Sequence, residues 1–137
     1  ARWLRKAADQ GNRTAQVHLG TLYHEGVGVA QDFKETVRWY RKASDQGDVN
    51  AQFNLGNMYY EGVGVAQDHK EAARCFRKAA DQGEASAQFN LAAMYADGTG
   101  ISQDHNEAVR WYRKAADQGL DRAQLNLGSM YFNGEGV

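Results

Sequence analysis

Apolar positions along the chain recur at helical spacing. Ala51, Leu55, Met58 and Tyr59 stand at i, i+4, i+7 and i+8, which is one face of an α-helix. Asp48 is placed to cap its start, and Gly62 follows its last turn as a stop. A second pattern opens after Asp68, with Glu71 three residues on in the arrangement of a capping box. It runs to Asp81, and Gly83 supplies a left-handed turn after it. Asp32 with Glu35 and Asp104 with Glu107 repeat that start. The chain therefore predicts pairs of helices, here termed A and B in each pair. About eight of them follow in the order B-A-B-A-B-A-B-A.

The pattern is an internal repeat. Asp-Gln-Gly occurs at 9–11, 45–47, 81–83 and 117–119, always 36 residues apart. Residues 12–47 and 48–83 are identical at 22 of 36 positions, and 48–83 and 84–119 at 22 of 36. All 15 glycines fall in four slots of the unit, the last slot being 28, 64, 100 and 136. Glycine confined to fixed slots marks punctuation of the backbone. Helix pairs of this length cannot bury an apolar face alone, whereas stacked copies can. The expectation is an all-α solenoid of 36-residue helix-turn-helix units. It forms a single repeat domain over 1–137, with partial copies at 1–11 and 120–137 around full copies at 12–47, 48–83 and 84–119.

The residues that carry this register are Ala51-Gln52-x-x-Leu55-Gly56-x-x-Tyr59-x-x-Gly62-x-Gly64-Val65, then Asp68, then Arg74-x-x-Arg77-Lys78-Ala79-Ala80-x-Gln82-Gly83. They resemble the Sel-one-like repeat family, relatives of the tetratricopeptide repeats. Trp39-Tyr40 and Trp111-Tyr112 stand where that family prefers aromatics. Copy two departs with Cys75-Phe76, and copy three with Ala92 in a glycine slot. The resemblance implies a tetratricopeptide-like superhelix acting as a scaffold or adaptor for a protein or peptide. Some family members have been linked to β-lactam binding or hydrolysis, so an enzyme of that kind is the alternative. The serines 44, 86, 102 and 129 all lack a lysine three residues on, as a Ser-x-x-Lys site would require.

Composition narrows the functions further. The net charge of -1, from 16 basic and 17 acidic residues, argues against a nucleic-acid binder. No apolar run is long enough for a membrane span. One cysteine closes no internal disulfide, which favours the cytoplasm over the secreted, cysteine-rich branch of the family. The chain begins at Ala1 and reads as a segment of something longer.

Several recurring residues have structural readings. Gly20, Gly56 and Gly128 interrupt helix A, where glycine costs about 1 kcal/mol against alanine. The expected compensation is close approach of Ala43, Ala79 and Ala115 on helix B. Gln16, Gln52, Gln88 and Gln124 lie beside a core alanine and need carbonyl partners from a neighbouring hairpin. The Gly-x-Gly turns lack the strand and the Gly-Lys-Ser/Thr of a phosphate loop. His69 and His105 occupy equal slots in successive copies, too far apart to share a metal ion. Neither a metal nor a cofactor is expected, and no catalytic residue is assigned.

The binding face is expected on the A helices, at positions that stay polar. Thr14, His18, Thr21 and Glu25 share one face in copy one, and Asn50, Asn54, Asn57 and Glu61 in copy two. Copy three continues with Asn90 and Asp97, and the last copy with Asn126. Asparagine offers a donor and an acceptor to an extended peptide backbone. Phe53, Tyr60 and Phe89 lie beside the stripe as apolar anchors. The terminal helices lack polar caps, so Leu4, Leu127, Met130, Tyr131 and Phe132 are expected to be exposed and to support end-to-end self-association.

Overall fold

The computed structural model describes residues 2–134. It contains eight helices: α1 (Arg2–Asp9), α2 (Arg13–Glu25), α3 (Phe33–Asp45), α4 (Val49–Glu61), α5 (His69–Asp81), α6 (Ala85–Asp97), α7 (His105–Asp117) and α8 (Asp121–Asn133). Even-numbered helices are the predicted A helices and odd-numbered ones the B helices. The fold is a helical-repeat solenoid. Two compact units can be described separately, Ala1–Asp68 with α1 to α4 and His69–Val137 with α5 to α8. Within each unit every helix packs on the next one in the chain. Gly136, the last member of its glycine slot, lies outside the described residues.

The local signals act as expected at the helix ends. Asn12, Asp48 and Glu84 accept the backbone N–H three residues on, at 2.8, 2.9 and 2.8 Å. Gly62 adopts φ 74° after α4, and the Val63 N–H returns to the Met58 carbonyl. At the end of α5, Gly83 has φ 95° and its N–H bonds the Ala80 carbonyl, while the Glu84 N–H bonds that of Ala79. That pair of bonds is the Schellman closure.

The predicted capping box forms only by half. Asp32 accepts from Lys34 and Glu35, and Asp104 accepts from Glu107. The reciprocal bond has no free donor, because the N–H groups of Asp32 and Asp104 go to the carbonyls of Tyr23 and Tyr95. Glu35 turns instead to Arg38 at 3.2 Å, and Glu107 to Arg110 at 3.2 Å.

The cores centre on large side chains of the B helices. Trp39, Phe76 and Trp111 are almost completely buried, with Leu19 and Leu91 from the A helices. The glycine inside helix A has a different partner from the one expected. A Cβ on Gly20 would lie 2.8 Å from the Tyr40 ring and 3.4 Å from the Trp39 Cβ, so an aromatic edge, not Ala43, fills the space. The second glycine of the Gly-x-Gly turn also has a definite contact. Gly64 sits against the backbone of Phe33 in the first unit, and Gly100 against the backbone of His69 in the second. A side chain at either position would collide with main-chain atoms.

Two contacts recur, the first with the carbonyl partners expected from a neighbouring hairpin, though on a helix end rather than a loop, and the second not foreseen. The recurring glutamines donate to carbonyls in the last turn of the preceding B helix: Gln16 to Ala8 and Gln88 to Ala80 at 3.2 Å, and Gln124 to Ala116 at 3.3 Å. These are helix-end carbonyls, which have no partner within their own helix. The second contact joins each B helix to the A helix that follows. Arg5 bonds the Tyr23 hydroxyl, Arg41 that of Tyr59, and Arg77 that of Tyr95. Arg113 lies over the Tyr131 ring at 5.7 Å.

The terminal helices differ in part from expectation. Phe132 is 92% exposed and Tyr131 43%, but Met130 is only 6% exposed, the same as Met58. Met130 is covered as in the interior copies, and α8 packs on α7 as α4 does on α3. Leu4 and Leu127 are half-buried, and the large exposed apolar groups are Trp3 and Leu125.

Candidate functional site

The first unit contains a pocket of about 330 Å³ between its two A helices. Its walls come from one polar stripe on each. Thr21 and Glu25 project from α2, and Asn54, Asn57 and Glu61 from α4. This face is polar because helix A buries its alanine, glutamine and leucine positions on the other side. Tyr40 of α3 and Met58 of α4, both buried, form the base, and His24 and Val63 complete the rim.

Tyr40 organises the polar part. Its hydroxyl lies 2.9 Å from the Thr21 hydroxyl and also bonds the Asn54 side chain. Burial pushes the Tyr40 hydroxyl above the ordinary tyrosine range, and the Glu25 charge pushes the same way. The bonds from Thr21 and Asn54 pull it partly back. The Thr21 hydroxyl additionally donates to the Val17 carbonyl at 3.0 Å, which fixes its rotamer.

The second unit repeats the central feature. The Asn126 amide donates to the Tyr112 hydroxyl at 3.3 Å. Burial again raises the Tyr112 hydroxyl, Asp97 adds to the rise, and Asn126 opposes it. Here Phe89 packs edge-on against Tyr112, with ring centroids 5.5 Å apart, and Arg122 lies 4.7 Å from the Phe89 ring centre. Asn90 is half-buried on α6. The copy-two B helix carries Phe76 in the tyrosine slot, so no hydroxyl is available there.

The pocket thus gathers three predicted residues, Asn54, Asn57 and Glu61, with Thr21 and Glu25 from the same stripe. His18 is exposed one turn before Thr21 and does not line it. Phe53 is half-buried and Tyr60 is 39% exposed, both outside the lining. Tyr40 was missed, because its slot reads as core. The available signal was its spacing: Tyr40 and Tyr112 each precede a stripe asparagine, Asn54 or Asn126, by 14 residues. Among the described residues, no group of three or more histidine, cysteine, aspartate or glutamate side chains is placed to hold a metal ion. Among those residues, too, no helix is long and apolar enough to cross a membrane.

The Sel1 repeat family profile matches residues 1–12, 14–48, 49–84, 85–120 and 121–137. The chain belongs to the Sel1 repeat family. Two solved Sel1 repeat structures are similar to it. One is a protective antigen of uropathogenic Escherichia coli strains displaying an SLR fold, with 45% identity and a TM-score of 0.95 over 99% of this chain and 29% of that one. The other is a Sel1 repeat protein from Oxalobacter formigenes, with 40% identity and a TM-score of 0.90 over 93% of this chain and 53% of that one. The chain thus spans less than a third of the first and about half of the second. Cysteine rich protein B of Helicobacter pylori shares the Sel1 repeat fold at 22% identity, with a TM-score of 0.67 over 89% of this chain and 87% of that one. No curated protein sequence matches the chain. Sel1 repeat solenoids are typically protein-interaction modules.

Proposed function

We propose that this Sel1 repeat domain, taken as one domain over 1–137, captures an extended segment of a protein partner on the polar faces of its A helices. Asn54, Asn57 and Glu61 act in the first unit, and Asn90, Asp97 and Asn126 in the second. Phe53, Tyr60 and Phe89 supply apolar contacts beside them, and His18 marks the margin of the stripe. The convergence of five stripe residues on one pocket of about 330 Å³ is the observation that carries this reading. A face that was merely solvated would not need a concave floor built from a buried tyrosine and a buried methionine. The asparagines supply paired donors and acceptors of the kind a peptide backbone requires.

The test is selection of random peptides displayed on phage against the immobilised chain. Selected peptides should bind Asn54→Ala/Asn57→Ala about tenfold more weakly, as loss of one or two hydrogen bonds implies. The melting temperature of that variant should stay within a few degrees of the parent. Unchanged affinity, or peptides that map to the helix B face around Arg38, Arg74 and Arg110, would move the site off the A helices.

A second element concerns the ends. Trp3, Leu125 and Phe132 are 82, 74 and 92% exposed, which supports end-to-end association between copies of the chain. Sedimentation of the parent beside Trp3→Ser/Phe132→Ser tests it, and a concentration-independent monomer in the parent would remove it.

A further inference from the structure

We propose that the pocket of the first unit takes the cationic side chain, arginine or lysine, of the docked partner segment; this rests on the segment-binding reading above. The argument begins with where two carboxylates sit. Glu25 is the last residue of α2 and Glu61 the last residue of α4, and both line the pocket. A helix C-terminus already carries about half a negative charge from its unpaired carbonyls. Each glutamate therefore adds negative charge where the backbone is negative, an arrangement that opposes folding.

Among the described residues, neither carboxylate has an ion-pair partner. The ion pairs join Arg13 to Asp48 and Glu35, Glu71 and Glu107 to the arginine three residues on. None involves Glu25 or Glu61, and no lysine or arginine lines the pocket. Its other titratable groups are His24 and Tyr40, and Tyr40 is held in its neutral form by burial. The B-helix glutamates Glu35, Glu71 and Glu107 are paired locally, while Glu25 and Glu61 face an open volume.

The remaining lining suits the stem of such a side chain. Met58 and Val63 offer apolar surface to methylene groups, and the asparagine carbonyl oxygens add acceptors near the head. A volume of about 330 Å³ is at the small end for a ligand site, the scale of one side chain. The second unit has lost this character. Ala93 stands at the Thr21 slot and Asn133 at the Glu61 slot, and Arg122 already places a cation over Phe89. The first unit is therefore the site that still lacks its positive charge.

The test uses the full chain and three blocked pentapeptides of alanine whose central residue is arginine, lysine or norleucine. Binding is read from the side-chain amide signals of Asn54 and Asn57 by NMR. Arginine or lysine peptides should shift these signals and bind about tenfold more tightly than the norleucine peptide, in a salt-sensitive manner. Glu25→Gln/Glu61→Gln should lose that preference and melt at a higher temperature than the parent, since the clash with the helix ends is relieved. A merely structural role for the glutamates would lower the melting temperature and leave the preference intact. If norleucine binds as well as arginine, the cationic reading falls while segment docking stands. If neither basic peptide shifts Asn54 and Asn57, or the shifts centre on Phe89 and Asn126, the assignment falls, and docking is then judged by the display selection alone.

Discussion

The side-chain amide of Gln46 donates to Oε1 of Gln16 across 2.8 Å, thirty positions back along the chain. The same pair recurs in the second unit, where Gln118 donates to Gln88 at 2.9 Å. Gln16 passes the bond on through its own amide to the Ala8 carbonyl. Three successive helices are thereby joined through the buried amide of Gln16, since α1 holds Ala8, α2 holds Gln16, and Gln46 closes α3.

Replacing Gln16 by leucine should cost about 1–3 kcal/mol, because it strips the Gln46 amide of its acceptor and the Ala8 carbonyl of one donor. Gln46→Leu should cost less, as Gln46 is exposed. The two changes together should cost less than their sum by about 0.5–1.5 kcal/mol, read from urea denaturation of all four proteins. Strict additivity would show that the amide pair carries no coupling.

Glycine to alanine should have opposite signs at two equivalent slots. Gly128 has nothing within 4 Å of an added Cβ, so Gly128→Ala gains the helix preference of about 1 kcal/mol. At Gly20 the new methyl meets the Tyr40 ring, which the Thr21 hydroxyl holds in place, and the variant should lose about 1–2 kcal/mol. Copy three carries Ala92-Ala93 at the equivalent positions, so Thr21→Ala should partly rescue Gly20→Ala. A stabilised Gly20→Ala would show that the ring moves freely.

Alkali should reveal the buried tyrosines. Tyr40 and Tyr112 keep their protons longer when folded, because burial and the nearby carboxylates disfavour the phenolate. The stability they confer is complete below the unfolded value of about 10 and is lost as pH rises through the raised folded value. The melting temperature of the parent should fall more steeply above about pH 10 than that of Tyr40→Phe/Tyr112→Phe. Parallel curves would remove these hydroxyls as the cause. Near neutrality the double variant should be less stable, since it loses the bonds to Thr21 and Asn126.

Helix boundaries were legible because they depend on neighbours in the chain. Asp48 before α4, Gly62 after it and the start of α5 beyond Asp68 are local decisions of backbone hydrogen bonding. Membership of the stripe was legible for a related reason: Asn54, Asn57 and Glu61 share a face by helical geometry alone. The partners of these residues were not. Ala43 and Tyr40 both recur in step with Gly20, and only the packing of α3 on α2 selects the ring. Periodicity marks Arg41 and Tyr59 in the same way without pairing them, since a separation of 18 residues across a loop has no meaning in helical spacing. The halved capping box failed for the same reason, as the Tyr23 carbonyl lies outside the motif.

The recurrence of one arginine–tyrosine link between every B helix and the A helix after it bears on how such chains change length. Each A helix presents the same tyrosine, and each B helix the same arginine, so the coupling does not distinguish one copy from another. Unequal crossing-over between genes can therefore delete or duplicate a whole copy and still leave every joint filled. A shift by any other number of residues would set the arginine against the wrong turn and drive a side chain into the main-chain contacts at Gly64 and Gly100. The array is thus modular at the level of recombination, growing in steps of 36 residues while its exposed A-helix faces diversify.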